Sequence, residues 1–96
     1  MSDASKTEEF YKKLKLRLED TTTWPSEYLY KFIVKTDAYK VKKIESFFNN
    51  RGAVIKTTKS KNGKYTSISI NVFMDNPDAV IKKYIEVSTI EGVISL

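Results

Sequence analysis

The sequence contains no cysteine and no histidine. These absences exclude a thiolate nucleophile, a disulfide, a zinc finger, an imidazole acid or base, and with it a Ser-His-Asp triad. An enzyme would have to work with carboxylates, lysine, tyrosine or serine. The predicted strands place no two acidic residues on one concave face, which paired-carboxylate catalysis would require. We therefore predict a protein that is not an enzyme and that uses no metal and no cofactor.

Long apolar runs are also missing. The longest run is a few residues, far short of the roughly 20 that a transmembrane helix needs. The first residues do not contain the apolar stretch of a secretory signal. We therefore expect no membrane segment and a cytoplasmic location. A chain of 96 residues is long enough to form one core without disulfides.

Charge is unevenly distributed along the chain. Residues 1–27 carry 5 basic and 6 acidic side chains, whereas residues 28–96 carry 12 basic and 6 acidic ones. An excess of positive charge favours polyanionic or acidic partners and says nothing about the fold. Any electrostatic partner is therefore expected to contact the second part of the chain.

The first segment carries a narrow apolar stripe at helical spacing. Phe10, Leu14 and Leu18 recur every four residues among charged residues, which predicts a short amphipathic helix over about residues 6–19. Trp24-Pro25 then breaks the helical pattern. We predict a disordered N-terminus over residues 1–7 and an N-terminal helix with its linker over residues 8–27. Trp24 is expected to anchor that helix to the sheet.

The remaining chain alternates between strand and helix patterns. Tyr30, Phe32 and Val34 lie on one side of a predicted strand, and this aromatic-rich side is the one predicted to be buried. The other side carries Leu29, Lys31, Ile33 and Lys35. A helix follows from about Ala38, with Thr36 or Asp37 as its N-cap and Gly52 as the residue that stops it. The apolar stripe of this helix comprises Val41, Ile44, Phe47 and Phe48. A later helix is predicted with Asn76 as its N-cap and Pro77 in its first turn. The apolar stripe of the later helix comprises Val80, Ile81, Tyr84 and Ile85.

A hairpin joins these two helical segments. Asn62-Gly63 is a preferred type I′ turn pair, which needs positive φ at both residues. With that turn, Thr57 pairs with Ile68 and Ile55 with Ile70, so one face of both strands is apolar. The opposite face is predominantly polar, as expected for an antiparallel sheet covered on one side.

With a short closing strand at residues 93–96, the order is β-α-β-β-α-β. This pattern predicts an α+β, ferredoxin-like βαββαβ sandwich over residues 28–96, preceded by the short N-terminal helix. Its four-stranded antiparallel sheet carries two helices on one face. The other face of the sheet is left uncovered.

Several short motifs resemble the YbeD-like family, a domain of unknown function found in small bacterial proteins. The resemblance covers about residues 8–96 and implies an ACT-like, ferredoxin-like fold with no established activity and no catalytic residues. The motifs are Trp24-Pro25, Phe32-Ile33-Val34, Phe47-Phe48, Arg51-Gly52-Ala53, the run from Gly63 to Ser69, and the run from Ile90 to Leu96.

Two functions are compatible with this fold. The first is a non-catalytic, ACT-like regulatory or protein-interaction module that associates with itself or with another protein through the open sheet face or an edge strand. The second is a weak electrostatic nucleic-acid binder that uses the basic hairpin. The candidate partner surface comprises Leu29, Ile33, Val54, Lys56, Lys59, Lys61, Lys64 and Tyr65.

An RNA-recognition domain has the same strand order but stacks bases on aromatic rings of its two central strands. Ser67 stands at one stacking position here, and the open face of the first strand shows Leu29, Lys31 and Ile33. The hairpin lysines could contact phosphate, but lysines also protect an edge strand from pairing. We therefore favour the interaction module and expect nucleic-acid binding to be weak.

Overall fold

The computed structural model describes residues 2–49 and 52–96, with side chains from Thr7 onward. Three helices and four strands follow one another along the chain. They are α1 (Ser2–Thr21), β1 (Ser26–Lys35), α2 (Ala38–Ser46), β2 (Val54–Lys59), β3 (Tyr65–Met74), α3 (Pro77–Ser88) and β4 (Ile94–Ser95).

The four strands form one antiparallel sheet in the order β2-β3-β1-β4. Tyr30 and Phe32 of β1 are fully buried together with Ile44 of α2 and Val80 of α3, so these helices cover the same face of the sheet. This arrangement is the ferredoxin-like sandwich, and the predicted fold class is confirmed. The other face of the sheet is open.

An aromatic cluster fills the core between the sheet and the helices. The ring centroids of Tyr30 lie 5.1 Å from Phe48 and 4.9 Å from Tyr84, and the Tyr30 hydroxyl donates to the Val80 carbonyl over 3.0 Å. The predicted inward-facing residues of β1 and β3 are buried, whereas Ile55 is half-buried and Thr57 is exposed because β2 lies at the edge of the sheet.

The β2–β3 hairpin has the predicted register with a different turn. Ile55 pairs with Ile70 as expected, but Asn62 does not have positive φ, so the predicted type I′ turn is wrong. The Ser60 N–H donates to the Tyr65 carbonyl over 2.7 Å, which closes a four-residue loop over residues 61–64. The Asn62 carboxamide accepts from the Lys64 N–H, and this local bond stabilises the longer loop without a left-handed asparagine.

Helix α2 begins as predicted and ends earlier. The Asp37 carboxylate accepts from the backbone N–H groups of Tyr39 and Lys40, which makes Asp37 the N-cap. The helix ends at Ser46, so Gly52 does not stop it even though its φ is +67°. The physical reason lies at the helix end, where Lys83 of α3 donates to the Phe47 carbonyl over 2.6 Å and satisfies a group that a longer helix would have bonded.

Helix α3 is rotated relative to the predicted stripe. Asn76 caps it as expected, and Val80 and Tyr84 are buried. However, Ile85 is 47% exposed, whereas Val87 is fully buried. Helix α1 packs beside α3, which leaves Ile85 in a groove between the two helices and turns Val87 toward the sheet.

Helix α1 extends further toward the N-terminus than predicted. It begins at Ser2 and so includes most of the segment 1–7 for which we predicted disorder; Met1 lies outside the described residues. Ala4 and Lys6 in this segment have good helix propensity, which favours the longer helix. Strand β1 begins at Ser26, two residues before the predicted start of the ferredoxin-like domain. The division of the chain into segments 1–7, 8–27 and 28–96 stays a prediction.

Leu18 and Trp24 join helix α1 to the core. Leu18 is buried, and the Trp24 indole N–H donates to the Leu18 carbonyl over 3.0 Å. Phe10, which was predicted in the same stripe as Leu18, is 61% exposed because only the C-terminal half of the helix reaches the sheet core. A salt bridge of 3.1 Å between Lys15 and Asp78 also links α1 to α3.

Stability should fall at alkaline pH because of Tyr84. Burial, and after it the hydrogen bond of 2.8 Å with the Tyr28 hydroxyl, raises the pKa of Tyr84 far above its usual value. Above about pH 10 the unfolded chain releases this proton while the folded chain retains it. The contribution of protonated Tyr84 to the free energy of unfolding is therefore complete below about pH 10. It is lost as the pH rises above that value, by up to about 1.4 kcal/mol per pH unit.

Urea unfolding between about pH 9 and 12 measures this slope. In the Tyr84→Phe variant the free energy of unfolding should decrease less steeply with pH than in the wild type. The difference in slope should correspond to about one fewer proton released on unfolding. The Tyr65→Phe variant changes an exposed ring and should keep the wild-type slope. An unchanged slope in Tyr84→Phe would contradict the assignment of the buried proton to Tyr84.

Candidate protein-interaction surface

The strand register places the side chains of the open face in rows that cross the sheet. Paired residues on neighbouring strands lie on the same face. One row contains Val54, Asn71 and Leu29, and the next contains Lys56, Ser69 and Lys31. A third row contains Thr58, Ser67, Ile33 and Ile94.

One end of this face is apolar and exposed. Leu29 is 54% exposed, Val54 60% and Phe73 55%, and all three lie near the start of β1. A shallow cavity of 260 Å³ lies between Leu29 and Val54, with Lys56 at its rim. Large apolar side chains that remain exposed on neighbouring strands form a patch of the kind that partner proteins cover.

Phe73 is a member of this patch that the sequence reasoning missed. It pairs with Glu27 and lies on the same face as Asn71 and Ser69, two and four residues earlier in β3. The period-two alternation of a strand could have identified it, because Phe73 is six residues after Ser67, which the sequence already assigned to the open face. We call Leu29, Val54 and Phe73 the apolar patch.

Lysines give the centre of the open face a positive charge. Lys31 and Lys56 lie on either side of Ser69, and Lys35 lies further along β1. Among the described residues of the four strands, Glu27 is the single acidic side chain on this face. The surface therefore combines exposed apolar side chains with an excess of positive charge.

The structure brings together five of the eight predicted surface residues. Leu29, Ile33, Val54, Lys56 and Tyr65 share the open face.

Lys59 does not lie on that face. It pairs with Thr66, which is buried on the helix-covered side of the sheet. Lys61 and Lys64 lie in the hairpin loop. The eight residues thus form an open-face group, a loop pair and one lysine on the opposite side.

The arrangement of aromatic rings does not suit base stacking. Tyr65 and Phe73 both belong to the central strand β3 and both face outward. They are eight residues apart, which is about 27 Å at roughly 3.4 Å per residue. Consecutive bases could not stack on both rings.

Within residues 2–49 and 52–96, no group of three or more His, Cys, Asp or Glu side chains is placed to hold a metal ion. Over the same ranges, no helix has the length and apolar character needed to cross a membrane.

Comparison with known proteins identifies the family. The family described as "Protein of unknown function (DUF493)" matches residues 19–96, which is more than half of the chain. The chain belongs to the DUF493 family. The resemblance to the YbeD-like family inferred from the sequence is thereby confirmed. No match was found among curated proteins.

A solved structure with the same fold is the solution structure of protein HP0495 from H. pylori. The two sequences are 22% identical. The matched region covers 79% of this chain and 86% of the HP0495 chain, with a TM-score of 0.63. At this identity the similarity supports the ferredoxin-like fold of this DUF493 chain and nothing about its activity.

Proposed function

We propose that this DUF493 protein is a non-catalytic, ACT-like regulatory or interaction module that binds a partner protein through its open sheet face. The observation that carries the proposal is the apolar patch of Leu29, Val54 and Phe73, whose three side chains are each more than half exposed. Burial of such side chains drives protein association, because apolar surface is unfavourable in contact with water. A partner would cover the apolar patch and contact the lysines in the next row.

The charge of the face favours an acidic partner over a second copy. Two copies meeting through their open faces would bring Lys31, Lys35 and Lys56 of each close to those of the other, with Glu27 as the opposing charge. Like charges at an interface disfavour the complex, whereas acidic side chains on a partner would be attracted to this face. We therefore infer a partner that combines apolar and acidic side chains.

Nucleic-acid binding is the alternative, and salt separates the two. Four lysine contacts to single-stranded nucleic acid give a slope of about −2.8 in log K against log salt, so affinity should fall roughly fifty-fold between about 50 and 200 mM. The apolar part of a protein interface is not screened by salt. Partner binding should therefore weaken much less over the same range.

The test is a change in partner binding when the apolar patch is made polar. Replacing Leu29 and Phe73 together by serine should weaken binding by about ten- to a hundredfold, because buried apolar anchors at the centre of an interface contribute most of its affinity. Quantitative affinity capture from a native extract, at low and at physiological salt, identifies the proteins whose retention depends on these two residues. Binding of each purified candidate is then measured by titration.

The matched control changes exposed apolar residues elsewhere. Leu16 is 61% exposed and Ile85 is 47% exposed, and neither belongs to the sheet. A variant with serine at both positions should retain the partner. If the Leu29/Phe73 variant retains every protein that the wild type retains, the open face is not the interaction surface. If the retained molecule is RNA and its binding follows the steep salt slope, the alternative function is correct.

A further inference from the structure

The outer edge of β2 presents unpaired main-chain groups. The Ser60 N–H donates to the Tyr65 carbonyl, and hydrogen bonding alternates along an antiparallel ladder, so Val54, Lys56 and Thr58 direct their N–H and C=O groups toward β3. The corresponding groups of Ile55 and Thr57, and those of Lys59, point away from the sheet. Over residues 2–49 and 52–96, β2 is an edge strand with no neighbour on that side.

A groove runs along the same edge on the helix side. It has a volume of 490 Å³ and lies between α2 and β2, with Val41 and Ala38 on one wall and Thr57 on the other. A strand added beside β2 would send alternate side chains into this groove. The intervening side chains would lie on the open side, next to Val54 and Lys56.

Charge around this edge is predominantly positive. Lys42, Lys56 and Lys59 are exposed, and the ion pairs within the described part of the chain are formed by other residues, Lys15 with Asp78 and Lys83 with Glu86. Two carboxylates also line the groove: Asp37, which is used as the N-cap of α2, and Glu45. On the open side of the edge, Lys56 has no acidic residue beside it on β2 or β3. An acidic chain is therefore attracted to this edge.

The same lysines disfavour a second copy at this position. Pairing β2 with β2 of another molecule would bring Lys56 and Lys59 of both copies together, which is how edge lysines prevent self-association. An acidic strand experiences the opposite effect. Alternating N–H and C=O groups also match a polypeptide backbone, which nucleic acid does not offer.

We propose that the outer edge of β2 binds an extended segment of a partner protein in which acidic residues alternate with apolar ones, and that this segment extends the sheet by one strand. Apolar side chains enter the groove beside Val41 and Thr57, and acidic side chains lie next to Lys56. The inference rests on the proposed function, since it names the segment that the partner contributes.

The direct test uses a synthetic peptide, Glu-Val-Glu-Val-Glu-Val with blocked ends, and the full chain. Hydrogen exchange followed by NMR should show that exchange of the Ile55, Thr57 and Lys59 amides slows by at least about tenfold when the peptide is present. The amides of Val54, Lys56 and Thr58 already bond to β3 and should change little. This period-two protection is specific to strand addition.

Variants of both molecules separate main-chain pairing from charge. Thr57→Pro removes one outward N–H and leaves the ladder with β3 intact, so it should weaken peptide binding by about tenfold or more, whereas Thr57→Val should bind like the wild type. Lys56→Glu combined with Lys59→Glu should also weaken binding. A peptide with N-methyl groups on alternate amides should fail to bind the wild type, which tests the pairing even if Thr57→Pro does not fold.

Three outcomes would overturn this inference. Equal binding of a peptide with lysine in place of glutamate would show that charge does not select the segment. Uniform exchange protection, or dimerisation in light scattering without peptide protection, would show that strand addition does not occur. The Leu29/Phe73 serine variant keeps the β2 edge and should still bind the peptide. Loss of the whole partner by this variant therefore tests the proposed function separately from strand addition.

Discussion

Replacing Phe48 by alanine should destabilise the protein by about 3–5 kcal/mol, the usual cost of removing a fully buried phenylalanine. The Phe48 side chain has no exposed surface and lies against the Tyr30 ring. The Lys83 ammonium is 5.7 Å from the centroid of the Phe48 ring and also donates to the Phe47 carbonyl. Truncation of Phe48 therefore leaves a cavity where α2 meets α3 and the sheet, and urea unfolding measures the loss.

Phe73→Ala is the matched control, because it removes the same side chain from an exposed position. It should change the free energy of unfolding by less than about 1 kcal/mol, since little apolar surface is buried there. Equal destabilisation by Phe48→Ala and Phe73→Ala would mean that Phe73 is covered in solution or that Phe48 is not part of the core. The first of these alternatives would be visible as self-association in light scattering.

The sequence was sufficient to predict the sheet because two independent signals agree. The alternation of Tyr30, Phe32 and Val34 defines one buried face, and the position of Asn62-Gly63 defines a register that puts Ile68 and Ile70 on that same face. A slip of one residue would have turned the whole apolar set outward. The helix starts were predictable for a similar reason, since Asp37 and Asn76 act through their own neighbouring amides.

Features that depend on distant parts of the chain were not predictable. The Phe47 carbonyl, just past the end of α2, accepts a hydrogen bond from Lys83, which is 36 residues away. The rotation of α3 that buries Val87 and exposes Ile85 depends on how α1 packs beside it.

The hairpin turn differs from the prediction for a local reason, because hydrogen bonds of Ser60 and Asn62 stabilise a longer loop.

The candidate surface was only partly recovered from the sequence. Strand parity puts Lys56 on the open face and Lys59, which pairs with the buried Thr66, on the helix-covered side, so the predicted surface combines residues of both faces with two of the loop. The same parity identifies Phe73. Exposure was harder to infer, since the alternation assigns Leu29 and Val54 to the open face without showing that nothing covers them in the monomer.

Deleting residues 1–22 should leave a cooperatively folded domain that is less stable by about 3–5 kcal/mol. Burial of Leu18 contributes about 1.5–3 kcal/mol, and the hydrogen bond from Trp24 to the Leu18 carbonyl contributes about 0.5–1.5 kcal/mol. Half-buried Tyr11 and Leu14 add smaller amounts. The sheet, α2 and α3 retain the rest of the core, so the shortened chain should keep a sharp urea transition at a lower midpoint.

Two point variants test whether Leu18 accounts for most of this loss. Leu18→Ala should cost about 2–4 kcal/mol because its side chain is buried, whereas Leu16→Ala, in the same helix but 61% exposed, should cost less than about 0.5 kcal/mol. A broad, non-cooperative transition in the shortened chain would show that α1 is integral to the fold and that a domain boundary near residue 28 is wrong. A shortened chain as stable as the full protein would show that Leu18 does not contribute to the core in solution.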